Sequence, residues 1–103
     1  LVDPFPDPFM ITSFEVREGK HEEIPAVTHV DGTTRPQVVK EGVAPRYHDL
    51  IDTFDRKGGV PLVLNTSFNL SGEPIVCTVE DAVGTFYNCG LDALAVGDYL
   101  LRK

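Results

Sequence analysis

Between the glycine pair Gly58-Gly59 and the polar tract that starts at Asn65 runs Val60-Pro61-Leu62-Val63-Leu64, and no other stretch narrows the choice of fold as much. It is apolar throughout and too short for a helix, so it predicts a strand buried on both faces. Pro61 is tolerable there because it stands near the start. Such a strand needs cover, and the flanking sequence carries two helical patterns. Upstream, Pro45 suits the first helical position, and Tyr47, Leu50, Ile51 and Phe54 fall at i, i+3, i+4 and i+7 before Gly58-Gly59 stops the helix. Downstream, the Thr78 hydroxyl can accept from the N–H three residues on, and Glu80 and Asp81 suit the positive end of the helix dipole. Val79, Ala82, Val83, Phe86 and Tyr87 form the buried stripe of this second helix, and Asn88-Cys89-Gly90 ends it. Leu91 to Val96 gives a last apolar strand, and Gly97-Asp98 precedes Tyr99-Leu100-Leu101.

The N-terminal half predicts a strand from Phe9 to Val16 and an exposed connection from Arg17 to Glu23. Pro25 to Val30 and Arg35 to Val39 both read as extended, and Asp31-Gly32 between them is a turn signal, so the two form a hairpin with a loose tip. Strands, helix, strand, helix, strand is the order of an α/β (α+β) fold: a twisted mixed sheet with helices packed on it. A chain of 103 residues with 42% hydrophobic and 24% charged side chains is large and apolar enough for one domain, 1–103, with a modest core. Asp3-Pro4-Phe5-Pro6-Asp7-Pro8 reads as an extended lead-in over 1–8, as expected of a chain that begins partway through a larger protein.

Nine Lys and Arg against sixteen Asp and Glu leave a net charge of −7, which argues against a general nucleic-acid binder, since that task needs surplus cations to displace counterions from phosphates. No apolar run reaches the roughly 18 residues of a membrane span, and no basic stretch followed by an apolar one opens the chain. The reading is a soluble protein that is not secreted. Cys77 and Cys89 flank the second helix, which holds them about 18 Å apart at about 1.5 Å per residue. A disulfide reaches about 7 Å, so two reduced thiols of a cytosolic protein are expected. His21, His29 and His48 have no metal-ligand spacing, and no metal site is expected in this chain.

Asn65-Thr66-Ser67-Phe68-Asn69-Leu70-Ser71-Gly72-Glu73-Pro74 follows the apolar run directly. The carboxyl end of a strand is where open α/β sheets bind ligands. Asn65, Thr66, Ser67 and Asn69 can donate to and accept from phosphate or ribose oxygens, and Ser67 and Asn69 share a side of an extended segment while Phe68 points away. A turn rich in Asn, Ser and Gly explains the same composition without a ligand. Arg35 can bind phosphate bidentately or be a surface charge. Thr33 and Thr34 can add hydroxyls beside it, and His29 across the turn can be an acid/base group or a satisfied histidine. Glu73 can be a base, and a Gly-Glu-Pro turn accounts for it without chemistry. The residues alone reach no further than a polyphosphate pocket.

Four ordered blocks carry a resemblance. They are Pro25 to Arg35 (PAVTHVDGTTR), Pro45-Arg46-Tyr47-His48, Leu64 to Asn69 (LNTSFN) with Gly72 to Val76 (GEPIV), and Gly90-Leu91-Asp92-Ala93 with Gly97-Asp98. From about Phe9 to Lys103 the chain resembles the C-terminal part of the nodulation-type O-carbamoyltransferases, a family that includes antibiotic-modifying enzymes. The resemblance implies a YrdC-like fold, truncated at its N-terminal side, similar to domains that make threonylcarbamoyl-adenylate for tRNA modification. It also implies a preceding N-terminal domain of the actin/sugar-kinase ATPase type, which carries a metal and the acceptor site. In the C-terminal domain ATP, with Mg, and a carbamoyl group derived from carbamoyl phosphate would be joined as carbamoyl-adenylate, for transfer to an acceptor hydroxyl. Carried over, Arg35 is the catalytic residue and contacts the nucleotide phosphates or the carbamoyl group, while Ser67 and Asn69 match the Ser-x-Asn nucleotide motif. Adenylation builds charge near a polyphosphate, so fixed donors and a cation matter more than a nucleophile.

One departure is that the Lys- and Arg-containing segment of the family is not found before Phe9. The chain alone is then expected to be inactive and to expose apolar surface, with self-association into a homo-oligomer as one outcome. A second reading keeps the fold as a non-catalytic nucleotide-binding or docking domain for a partner ATPase-like domain. RNA binding, by analogy with the tRNA-modifying relatives, is disfavoured by the charge. The implied compartment is the cytoplasm, where ATP and carbamoyl phosphate occur.

Overall fold

A computed structural model describes all residues, Leu1–Lys103, with the elements β1 (Phe14–Glu15), a 3₁₀ turn (Pro25–Val27), β2 (Thr33–Thr34), α1 (Pro45–Arg56), α2 (Val79–Tyr87), β3 (Ala93–Val96) and β4 (Tyr99–Arg102). It is a small mixed α/β chain with two helices and two separate two-stranded antiparallel sheets, β1–β2 and β3–β4, in place of one mixed sheet. The chain divides into two compact units, Leu1–Leu64 and Asn65–Lys103.

In the first unit β1 pairs with β2, Phe14 opposite Thr34 and Glu15 opposite Thr33. Backbone bonds extend the pairing: Val16 N donates to Gly32 O at 3.0 Å, and Val2 N to Glu15 O at 2.9 Å. The expected Phe9–Val16 strand is thus shortened to its last third. Phe14, Val16 and Thr34 are buried, and the Phe5 ring meets Phe14 edge-on at 4.9 Å between centroids. Asp7 is also buried, and its carboxylate accepts from the N–H groups of Phe9 (2.9 Å), Ile11 (3.0 Å) and Thr12 (2.7 Å). Three donors satisfy a carboxylate that would otherwise be costly to bury. Residues 1–8 are therefore anchored by Val2 and Asp7.

Pro25 opens a turn instead of an extended piece. Its fixed φ suits the first position of a helix, and the Thr28 hydroxyl closes the turn on Ile24 O at 2.9 Å. The expected hairpin between 25–30 and 35–39 is consequently absent. Residues 35–39 run along the N-terminal segment, with Val38 N on Asp7 O at 2.8 Å and Gln37 Nε2 on Pro8 O at 3.0 Å.

Helix α1 starts at Pro45 and stops where Gly58 takes φ +92°. Gly59 N then reaches Phe54 O at 3.0 Å and Gly58 N reaches Asp55 O at 2.9 Å, the 6→1 and 5→2 pair of a Schellman motif. None of its residues is buried, so the apolar stripe exists but is half covered: Leu50 and Phe54 are exposed. The Val60–Leu64 run is not a strand. Leu62 N bonds to Val60 O at 2.6 Å, an i→i+2 contact across Pro61 that bends the chain as an inverse γ-turn does. The bent run, Phe54 and the Pro25–Val27 turn surround an open apolar cavity of about 400 Å³.

In the second unit α2 begins at Thr78 and packs on β3, burying Ala82, Thr85 and Phe86, the last completely. Strands β3 and β4 pair from Ala93↔Arg102 to Val96↔Tyr99 across Gly97-Asp98, with Gly97 at φ +57°. A glycine of positive φ at the first central position is the type II′ hairpin turn. Leu94 and Val96 are half-buried while Ala93 and Ala95 face out. Lys103 sits with Nζ 4.7 Å from the Phe86 ring centroid and donates to Cys89 O, where a cation complements the helix C-terminus. Cys77 is exposed, Cys89 is half-buried, and both are thiols.

Large apolar side chains are left exposed in each unit, including Ile11, Val30 and Val43 in the first and Tyr99 in the second. No helix is long and apolar enough to cross a membrane.

Candidate functional site

The residues singled out from sequence fall into two groups, one in each unit. In the first, a tight turn precedes β2. His29 N donates to Thr33 O at 2.7 Å, Gly32 N donates to His29 O at 2.9 Å, and Gly32 takes φ +81°, which suits glycine. A Cβ on Gly32 would also meet the His21 ring at 3.1 Å. Asp31 completes the turn by accepting from Thr33 N at 3.0 Å, an Asx-turn, and from the Thr33 hydroxyl at 2.8 Å. His29 Nδ1 stands 3.1 Å from the same hydroxyl oxygen. The Thr33 hydroxyl, then its N–H, hold the Asp31 carboxyl below its ordinary value, and the charge of His29 adds in the same direction.

Arg35 follows two residues after Thr33. It is exposed, and its guanidinium makes no hydrogen bond or ion pair within the chain. The proline after it keeps it extended, so alternation puts it on the Thr33 side of the strand. Thr34 faces the other way. It is buried, and its hydroxyl donates to Val27 O at 2.5 Å, so of the two threonines beside Arg35 only Thr33 leaves a hydroxyl near the surface.

In the second unit, Asn65, Thr66 and Ser67 are exposed, and the Thr66 and Ser67 hydroxyls have no partner within the chain. Phe68 O accepts from Val76 N at 3.0 Å, closing a loop whose tip is a turn from Leu70 to Glu73: Glu73 N donates to Leu70 O at 3.0 Å, with Gly72 at φ +83°. Positive φ at the third residue is the type II pattern, which accounts for the Gly-Glu-Pro sequence as a turn. Asn69 pins this tip. Its Nδ2 donates to Leu70 O at 3.0 Å and to Glu73 O at 3.1 Å. Both partners are carbonyls, which only accept, so the amide must present its NH₂ to them and leave Oδ1 outward.

Asn69 thus lies within the 68–76 loop with Ser67 just before it, and Arg35, with His29, belongs to the other group. Sequence reasoning named Thr33 but missed Asp31 as its partner; the Asp-x-Thr spacing of an Asx-turn was the available signal. No group of three or more His, Cys, Asp or Glu side chains is placed to hold a metal ion.

The family model described as the C-terminus of carbamoyltransferases matches residues 1–103. An uncharacterised protein of Methanocaldococcus jannaschii is 47% identical over 103 residues, 100% of this chain and 20% of that protein. The nodulation protein NolNO of Sinorhizobium fredii is 50% identical over 96 residues, 93% of this chain and 14% of that protein. The 3'-hydroxymethylcephem-O-carbamoyltransferase of Amycolatopsis lactamdurans is 36% identical over 96 residues, 93% of this chain and 18% of that enzyme. The chain spans a fifth or less of the length of these relatives. With a match along its whole length and named carbamoyltransferases among its relatives, the chain belongs to the carbamoyltransferase C-terminal family.

Proposed function

We propose that this chain is the adenylate-forming module of an ATP-dependent O-carbamoyltransferase, and that it is the C-terminal part of a longer, YrdC-like enzyme. ATP, with Mg, and carbamate derived from carbamoyl phosphate are joined to carbamoyl-adenylate with release of pyrophosphate. The carbamoyl group then passes to an acceptor hydroxyl held by an N-terminal ATPase-like domain, in the cytoplasm. The observation that carries this reading is an exposed guanidinium without an internal partner, Arg35, at the end of a hydrogen-bonded turn in a chain of this family. A planar cation suits the bidentate recognition of phosphate oxygens.

Ser67 contributes a hydroxyl to the nucleotide, and Asn65 and Thr66 flank it. Asn69 takes a narrower part than a phosphate donor, because its NH₂ is used inside the loop. Its Oδ1 accepts, which fits a ribose hydroxyl. Titrating the 103-residue chain with ATP and Mg²⁺ while following amide shifts tests the reading; saturable shifts at Arg35 in the first unit and at Ser67 and Asn69 in the second are expected, and flat shifts at all three count against nucleotide binding by this chain. A second reading, a docking domain without chemistry of its own, is favoured by the uncovered apolar surface. Ser67→Ala and Asn69→Ala in the full-length protein separate the two: nucleotide-dependent product is lost only if the module does the chemistry.

A further inference from the structure

We propose that His29 is the proton acceptor of the site, and that Thr33 and Asp31 position it by fixing which imidazole nitrogen carries the proton. This rests on the carbamoyl-transfer reading and assigns it a base. The Thr33 hydroxyl has a single proton and gives it to the Asp31 carboxylate at 2.8 Å. An ionised carboxylate only accepts, so the direction of that bond is set. The Thr33 oxygen can then only accept from the imidazole, 3.1 Å away, and Nδ1 must carry a hydrogen. In the neutral ring that leaves Nε2 with its lone pair, in an exposed side chain. Free imidazole side chains in water favour the opposite form, with the proton on Nε2. The chain Asp31, Thr33, His29 therefore selects the less common tautomer and opens Nε2 to solvent.

The other histidines lack such a chain. His21 uses Nε2 on Val16 O at 3.1 Å, and His48 lies in α1. The turn also fixes the His29 backbone, since its N–H and C=O are both bonded within 29–33, and the ring is held by the Thr33 hydroxyl. Arg35 lies two residues beyond Thr33 and by alternation on the same side, so a cation for the phosphate and an open base lie on either side of Thr33 along the chain. The substrate class that fits is a carbamoyl phosphate, a mixed carbamic–phosphoric anhydride, attacked by water. Nε2 takes one proton of the water, and the electron pair of the broken O–H bond stays on the oxygen, which attacks phosphorus. That pair forms the new O–P bond, the P–O bond to the carbamoyl group breaks, and carbamate leaves with the electron pair of the P–O bond. The water oxygen ends in inorganic phosphate, and the imidazolium, its Nδ1–H still on Thr33 and balanced by Asp31, returns its proton to solvent.

Two measurements test this separately. Imidazole ¹⁵N shifts of the 103-residue chain, at a pH where the rings are neutral, should report the Nδ1–H form for His29. Thr33→Val should convert it to the Nε2–H form, and Thr33→Ser should restore it; a wild-type ring in the Nε2–H form overturns the relay. In the full-length protein, phosphate release from carbamoyl phosphate should fall about 10²- to 10⁴-fold in kcat for His29→Gln, the usual worth of a general base. Thr33→Val should lose part of that rate and Thr33→Ser regain it. A loss below about tenfold for His29→Gln overturns the base role. If the wild-type protein releases no phosphate from carbamoyl phosphate, the functional reading fails and the base role with it, while the ¹⁵N result still decides whether the relay exists.

Discussion

Thr78 and Asp81 cap α2 reciprocally: the Thr78 hydroxyl accepts from Asp81 N at 3.1 Å, and the Asp81 carboxylate accepts from Thr78 N at 3.1 Å. Removing the hydroxyl strips a bond from a nine-residue helix that makes the core of its unit. Thr78→Ala should cost about 0.5–2 kcal/mol in urea unfolding followed by circular dichroism, and Thr78→Ser much less.

The same pair sets an acid limb. The Thr78 hydroxyl first, then the Cys77 and Thr78 N–H groups, hold the Asp81 carboxyl below its ordinary value. A carboxyl depressed in the folded state contributes stability that is fully present above its unfolded value and is lost as pH falls through the folded one. The second unit should therefore lose stability from the ordinary aspartate range downward. Asp81→Asn keeps an acceptor but cannot titrate, and should flatten that limb in an acid titration of helicity.

Asp7 makes a parallel case in the first unit. Its carboxyl is lowered first by the Phe9 N–H, against the effect of its burial, with Thr12 and Ile11 adding. Asp7→Ala leaves three N–H groups without their acceptor. Amide exchange at Phe9, Ile11 and Thr12 should accelerate together, and the variant should unfold at lower denaturant than wild type; unchanged protection at all three would refute the anchoring role.

For the Phe68–Val76 loop, Asn69→Asp is the informative change. It is isosteric but offers only acceptors to Leu70 O and Glu73 O, so it should open the tip more than Asn69→Ala does, read as faster exchange of the Glu73 and Val76 amides. Gly72→Ala should cost about 1–2 kcal/mol because φ there is positive.

Arg35→Lys keeps the charge and loses the fork. If phosphate recognition is bidentate, ATP or carbamoyl phosphate should bind about tenfold more weakly to the lysine variant and about a hundredfold more weakly to Arg35→Ala, by calorimetry on the full-length protein. Equal affinity of Arg35→Ala and wild type would remove Arg35 from the site.

The helices were legible in the sequence because their signals are local. Pro45, Gly58-Gly59 and the Thr78/Asp81 spacing each act within one turn, and all appear where they were expected. Strands depend on a partner that the sequence does not name. Val60–Leu64 has the composition of a buried strand, yet nothing pairs with it and Pro61 bends it. Likewise Thr33–Thr34 pairs with Phe14–Glu15, some twenty residues away, and not with its neighbours in the turn. For the candidate site, the residue types were readable, but the partners were not, and Arg35, expected at the head of an extended 35–39 piece, instead follows the strand Thr33–Thr34. That Asn69 spends its NH₂ on the loop, and that Asp31 reaches His29 through Thr33, follow from turns at Gly72 and Gly32 whose hydrogen bonds exist only once the backbone is folded.

The apolar side chains that each unit leaves in contact with water have a calorimetric consequence. Surface already wetted in the native state adds nothing to the heat capacity gained on melting, which scales with newly hydrated apolar area. Melting of this chain should show an increment below the about 1.2 kcal/mol/K usual for 100 residues, with a low enthalpy and a broad transition. A correspondingly flat stability curve changes little with temperature and has no tall maximum.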